Sequence, residues 1–281
     1  MALTDAVAAF RGALGFCSRI PVGSDAADWD AFRRRPAALP AVGYALGPLV
    51  ALPVVAAAAV PVRVPAATVA VAFPAWLYLV TGITHLDGVA DLGDAAVVHG
   101  DADRRREVLK DSSLGVGGAL AVALVVVGLG AAGAAVAEAV VADAARPAAV
   151  GEATHFSAVG AAALVVAAEV SARGATAALV CLGDAAHEGL GSALTGESGA
   201  RSLAGVALAV APVVPLAGAV GGPRGVRATA AVLVAAVVVG LVAFAWARAR
   251  LGGVSGDVLG ATTELGRVTA LHAGVIAWTL S

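Results

Sequence analysis

Seven stretches of this chain, at about 37–61, 65–84, 114–137, 157–181, 203–221, 228–247 and the shorter 268–281, consist mainly of Ala, Val, Leu and Gly. A helix needs roughly 20 predominantly apolar residues to cross a bilayer, and most of these runs approach or exceed that length. A soluble core has no use for so many. Composition agrees: 60% of the 281 residues are hydrophobic and 14% charged, against about a quarter charged in an average soluble domain. The expected fold is an all-α integral membrane protein, a polytopic bundle of about seven transmembrane helices forming one domain over residues 1–281. Pro40, Pro48, Pro53 and Pro74 should kink the first two spans without abolishing them. The wealth of Ala and Gly lets helix backbones approach closely, and such faces allow a homo-oligomer. The N-terminal "MALTDAVAAFRGALGF" has an early Asp and no basic region before an apolar core, so it reads as an amphipathic surface helix and not as a cleaved signal peptide.

Net charge is −2, which leaves no basic excess for nucleic acid. Placement says more than the total. With the N-terminus inside, one side collects Arg11, Arg19, Arg33, Arg34, Arg35, Arg104, Arg105, Arg106, Lys110, Arg201, Arg248, Arg250 and Arg267, whereas the other holds Arg63, Arg146, Arg224 and Arg227. The richer side is expected to be cytoplasmic. Three hydrophilic segments, 85–113, 182–202 and 248–267, would then share that face. Cys17 and Cys181 have no metal-ligand or disulfide spacing and read as small apolar filler.

The first of these segments begins "HLDGVADLGDA", with Asp87, Asp91 and Asp94 at i, i+4 and i+7. On a helix these carboxylates share one face and repel one another unless a cation sits among them. Oxygen donors at this spacing suit a hard cation such as Mg²⁺, to which His85 is a possible further ligand. The following "DADRRREVLKDSSLGVGGAL" places Arg106 and Lys110 where they could touch a polyanionic substrate, or simply anchor the next span. Late in the chain, "GGVSGDVLGATTELG" presents Asp257 and Glu264 seven residues apart, again on one helical face. A second acidic pair on the same side of the membrane points to a shared site.

In this order, "FCSRIPV", "HLDGVADLGDA", "KDSSLGVGG", "EGLG" and "GGVSGDVLGATTEL" cover nearly the whole chain and resemble cobalamin synthase, the adenosylcobinamide-GDP ribazoletransferase family. The segment "SARGATAALV" is a looser match. The resemblance implies a cell-membrane, multi-pass enzyme with its active site on the cytoplasmic face. It implies joining adenosylcobinamide-GDP to α-ribazole or its 5'-phosphate, with release of GMP and a need for Mg²⁺. Carried over by residue, it points to His85, Asp87, Asp91, Asp94, Asp111, Ser112, Gly256, Asp257 and Glu264; together with the charge pattern, Asp87, Asp91, Asp94 and Glu264 are expected on the metal, and His85, Arg106, Lys110, Ser112 and Gly256 on substrate. Asp257 or Asp111 is then the expected proton acceptor.

The rivals are other aspartate- and Mg²⁺-dependent membrane transferases, and ion-coupled transporters. A CDP-alcohol phosphotransferase would need Ala-Arg after the first Asp-Gly, which is absent after Asp87 and Gly88. An intramembrane prenyltransferase would want two Asp-rich motifs, of which Asp87 and Asp91 match one in part. A transporter would carry its acids inside the spans.

Overall fold

The computed structural model describes residues 2–144 and 156–280. Among them the regular backbone is helical, apart from one isolated parallel bridge between Ala185 and Val254. Arg146 lies outside the described residues. The N-terminal pair is α1 (Ala2–Cys17) and α2 (Ala26–Arg33). A capping box starts α2: Asp28 N–H donates to the Asp25 carboxylate at 2.9 Å, and Asp25 N–H donates back to Asp28 at 3.2 Å. Ala9, Ala13 and Cys17 form one buried stripe on α1, while Leu3 and Val7 are exposed.

The first expected span is two helices, α3 (Ala38–Val50) and α4 (Leu52–Ala59), joined at Ala51 between Pro48 and Pro53. Proline removes a backbone donor and crowds the preceding turn, so the break falls there. α3 lies against α9 (Ala158–Leu182) through Gly43 and Gly47, one turn apart. A Cβ at either glycine would stand 2.7 Å from the Cα of Val170 or of Val166, so only hydrogen fits between the backbones. α5 (Ala66–Thr81) ends at Gly82, whose φ of 78° suits glycine alone, and α6 (Thr84–Val97) leaves at a bend of 106°. α7 (Ala102–Val108) and α8 (Val116–Ala144) follow, then α9, which is almost wholly buried.

The remaining chain contains α10 (Leu190–Thr195), α11 (Leu203–Val210), α12 (Val213–Leu251) and α13 (Gly256–Thr279). At Gly222, with φ 55° and ψ −147°, the backbone leaves the helix. A Cβ on Gly225 would stand 2.3 Å from the carbonyl oxygen of Ala217, eight residues earlier, so the chain folds back on itself here. In a straight helix those residues would be about 12 Å apart.

Four stretches are long and apolar enough to cross a membrane: Ala38–Ala59, Val116–Ala142, Ala158–Leu182 and Ala200–Leu251. α5 and α6 make a fifth if taken together across their bend. The fold is that of an all-helical membrane protein, with fewer such stretches than the seven expected from sequence. Part of the difference is the fold-back at Gly222. The rest is at the C-terminus, where 248–267 is not a loop. α12 runs to Leu251 and α13 starts at Gly256, so the short span expected at 268–281 is the end of a 24-residue helix. That helix carries Glu264 and Arg267 into the bundle, at 1% and 0% exposure. Arg267 is therefore not one of the surface charges expected on the arginine-rich side.

The helix ends sort into two groups. At one end, 183–189, the turn at 252–255 and the start of α13 meet α6 and α7. Ala186 N–H donates to the Val254 carbonyl at 3.0 Å, and Val254 N–H donates to that of Asp184 at 2.8 Å. At the other, Phe156 and Trp278 lie with ring centroids 4.6 Å apart, and a Cβ on Gly221 would stand 2.8 Å from the Trp278 ring.

Candidate functional site

Two glycines let α6 and α13 touch. A Cβ on Gly88 would lie 2.8 Å from the carbonyl oxygen of Asp257 and 2.9 Å from its Cα, and one on Gly260 would lie 3.1 Å from the Cα of His85. The contact sets Asp87 and Asp91 beside Asp257. α6 is helical as its spacing predicts, and it packs on the N-terminal parts of α8 and α13. Partial burial, with the charges of Asp257, Asp87 and Asp94, pushes the Asp91 carboxyl up to about 6. Among the described residues no Lys or Arg forms an ion pair with Asp87, Asp91 or Asp257. Asp257 accepts from the Ser255 hydroxyl, at 3.1 Å.

Asp87 and Asp257 face a cavity of about 800 Å³, counting its mouth, which opens between α1, α6, α9, α10 and α13. Its wall also includes His85, Arg173, Thr176, His187 and Gly256. His187 belongs to "GDAAHEGLG", a segment noted in sequence without a role for this residue. Its Nδ1 is 2.9 Å from the Glu188 carbonyl, which can only accept, so Nδ1 carries the proton. In the neutral ring Nε2 then keeps a lone pair, and it has no protein partner. Thr176 and Thr263 share a hydrogen bond of 2.8 Å in the same wall.

Several residues expected at the site are engaged elsewhere. Asp94, expected on the metal with Asp87 and Asp91, accepts the N–H groups of Gly115 at 2.7 Å and Gly118 at 2.9 Å. It caps α8, where the helix dipole favours a negative charge. Arg106, expected on substrate, donates to the Leu251 carbonyl at 2.7 Å at the end of α12 and pairs with Asp103. Its neighbour Arg105 donates to the Ala95 carbonyl near the end of α6. The basic run thus closes two helix C-termini. Lys110 and Ser112 are exposed and lie outside the cavity wall. Asp111 is exposed too; hydrogen bonds from the Ser113 hydroxyl and N–H hold its carboxyl below the ordinary range, the wrong direction for a base.

Glu264 was expected to reach the metal with the aspartates. It sits two turns along α13 from Asp257 and belongs to a buried quartet instead. Its carboxylate meets Arg267 at 2.6 Å, accepts the Tyr78 hydroxyl at 3.1 Å and lies 3.9 Å from His85 Nδ1. Arg267 also pairs with Glu169 of α9, and Glu169 with Arg173 one turn on. Two acids and two guanidinium groups therefore cancel inside the bundle. Sequence reasoning missed Glu169 as a partner, although an acid four residues from an arginine within an apolar span was a readable signal.

Whether the aspartates suit Mg²⁺ can be judged from donors and charge. Their oxygen donors and lack of cationic neighbours fit a hard divalent ion. Among the described residues no three His, Cys, Asp or Glu side chains converge as a ready-made cage. Mg²⁺ seldom uses one: it keeps waters and binds through one or two carboxylates together with substrate phosphates.

The sequence profile of the cobalamin-5-phosphate synthase family matches residues 9–275. An adenosylcobinamide-GDP ribazoletransferase of Halorubrum lacusprofundi is 55% identical over 96% of this chain and 98% of its own length. The protein of that name from Haloquadratum walsbyi is 46% identical over 98% of this chain and 99% of its own. A more distant one from Methanocella arvoryzae is 29% identical over 95% of this chain and 96% of its own. No solved structure matches the chain.

Proposed function

The chain belongs to the cobalamin-5-phosphate synthase family, a family of transferases in cobalamin assembly, and from that premise we propose how its cavity works. The reaction joins adenosylcobinamide-GDP to α-ribazole or its 5'-phosphate and releases GMP. The observation that carries this reading is a set of uncompensated carboxylates, with Asp87 and Asp257 at the wall of the cavity and Asp91 beside them. One or two of Asp87, Asp91 and Asp257 would hold Mg²⁺, which would supply charge neutralisation on the diphosphate.

The chain's own residues do the rest. The acceptor hydroxyl oxygen forms a bond to the phosphorus that carries cobinamide, and the bond from that phosphorus to GMP breaks. Asp257, at the first turn of α13, or the Nε2 lone pair of His187 takes the hydroxyl proton. The Thr176 and Thr263 hydroxyls supply further polar positions in the same wall.

Seven crossings are the topology we favour: α3 with α4, α5, α8, α9, α11 with α12 up to Gly222, the rest of α12, and α13. This puts α6, α7, α10 and the start of α13 on the arginine-rich, cytoplasmic side of the cell membrane, with α1 along its surface. The transporter alternative calls for free acids in the interior, whereas Glu169 and Glu264 are each paired with arginine.

Inside-out membrane vesicles carrying the chain, given adenosylcobinamide-GDP, α-ribazole 5'-phosphate and Mg²⁺, should release GMP, and right-side-out vesicles should not. No GMP from either preparation would remove the proposal, and GMP only from right-side-out vesicles would reverse the topology.

A further inference from the structure

Arg173 is fully buried, yet it forms part of the cavity wall. One corner of its guanidinium is committed: Nη1 donates to the carboxylate of Glu169 and, at 3.3 Å, to the Glu169 carbonyl. Nε and Nη2 have no hydrogen-bond partner. These two nitrogens form one edge of the guanidinium fork, the edge that gives two parallel N–H bonds to a carboxylate or phosphate. The Cys17 thiol meets the guanidinium in a side-chain hydrogen bond, but sulfur is a weak acceptor and leaves these donors without an oxygen partner. A buried pair of N–H donors on a cation is costly to leave open.

Charge makes the same point. Glu169 is shared between Arg173 and Arg267, and Arg267 has Glu264 as a second partner, so Arg173 is the less neutralised of the two arginines. It is also the one permanent cation among the residues of the cavity wall, which otherwise presents Asp87 and Asp257. An oxyanion would complete the hydrogen bonds and lie against the less neutralised of the two arginines. Resting on the reading of this cavity as the substrate site, we propose that the Nε/Nη2 edge of Arg173 binds a phosphoryl group of the substrate. Such a group has two sources, the diphosphate of the nucleotide donor and the phosphate monoester of the acceptor. Arg173 is then a substrate-binding residue set within a helix of the bundle, held in position by Glu169.

The test uses the full-length chain purified in detergent, with Arg173→Lys, which keeps the charge and loses the fork. The paired change Glu169→Gln with Arg173→Gln removes both charges together and guards against simple unfolding. Arg173→Lys should raise KM about tenfold or more, with a smaller effect on kcat. A rise confined to α-ribazole 5'-phosphate, with α-ribazole unchanged, assigns the fork to the acceptor. A rise in the KM of the GDP-activated donor with either acceptor assigns it to the diphosphate. KM values within twofold of wild type for all three substrates, in both variants, overturn the proposal.

A binding measurement needs no turnover. In EDTA no metal bridges the aspartates to an anion, so Arg173 is the group left to hold one: inorganic pyrophosphate should raise the melting temperature of the wild-type chain and leave the paired variant unmoved. Equal shifts, or a wild-type chain that pyrophosphate does not move, overturn the proposal. Because this readout is independent of GMP release, loss of the proposed reaction and loss of the Arg173 site can be told apart.

Discussion

Two charged regions lie within two helical turns of each other along α13, and they are built on opposite rules. Around Glu264 each charge meets its opposite: Arg267 bridges Glu264 and Glu169, and Arg173 closes on Glu169. Around Asp257 like charges gather, and no Lys or Arg among the described residues pairs with Asp87, Asp91 or Asp257. A buried ion pair left without one member costs about 3–5 kcal/mol, so the quartet is a structural commitment. Carboxylates kept together without compensation detract from the stability of the empty protein, and their placement makes sense only with something bound. The contrast separates acids that hold the fold from acids that await a ligand, a distinction their spacing in sequence does not make.

The largest effect should come from substitutions that treat the two regions alike. Asp87→Asn and Asp257→Asn should each lower GMP release by about 10²-fold or more, because the amide keeps the shape and removes the charge a hard cation needs. Both variants should stay monodisperse and melt at or above the wild-type temperature. Glu169→Gln should instead lower stability by about 3–5 kcal/mol. If Asp87→Asn unfolds the protein while Glu169→Gln leaves it intact, the contrast drawn here is reversed.

A smaller effect is expected where the two helices touch. Gly88→Ala adds a methyl group 2.8 Å from the Asp257 carbonyl oxygen and must push α6 away from α13. Overpacking of this kind costs about 1–3 kcal/mol, and the separation of the aspartates should reduce turnover about tenfold. Gly199→Ala, where no atom lies within 4 Å of the new methyl, serves as the control and should behave as wild type. Equal activity in the two variants would show that the close contact does not set the site.

The smallest expected effect sharpens the electrostatics. With its carboxyl raised to about 6, Asp91 takes up a proton in the folded protein at a higher pH than in the unfolded chain. The metal-free fold is therefore penalised above about pH 6 and relieved as pH falls toward the unfolded value, about 3.9. Mg²⁺ should supply the same relief, raising the melting temperature by a few degrees at pH 7.5 and by less at pH 5. Asp91→Asn should flatten that difference. An equal Mg²⁺ increment at both pH values in the wild-type chain would argue against Asp91 as part of the site.

The sequence revealed the apolar helices well because membrane crossing is a local property of about 20 residues. It misread α13 because Glu264 and Arg267 look like loop residues until Glu169, 98 positions before Arg267, is brought alongside. The helical face of Asp87 and Asp91 was legible for the same local reason. Asp94 and Arg106 were not: their carbonyl or amide partners are 21 and 145 residues further along the chain. His187 was visible only as one polar residue in a glycine-rich segment, and its place opposite Asp257 comes from the bridge that joins Ala185 to Val254.

The quartet also bears on how the chain is made. Glu169 and Arg173 are one turn apart on α9, and Glu264 and Arg267 are three residues apart on α13, so each of these two acids has a basic partner on its own helix. A lone charge at the bilayer centre costs a nascent helix about 2.5–3.5 kcal/mol on insertion. α9 leaves the ribosome long before α13 exists, yet it can enter the lipid already neutral through its own pair. When α13 follows, Arg267 takes hold of Glu169 and the two locally paired segments lock together.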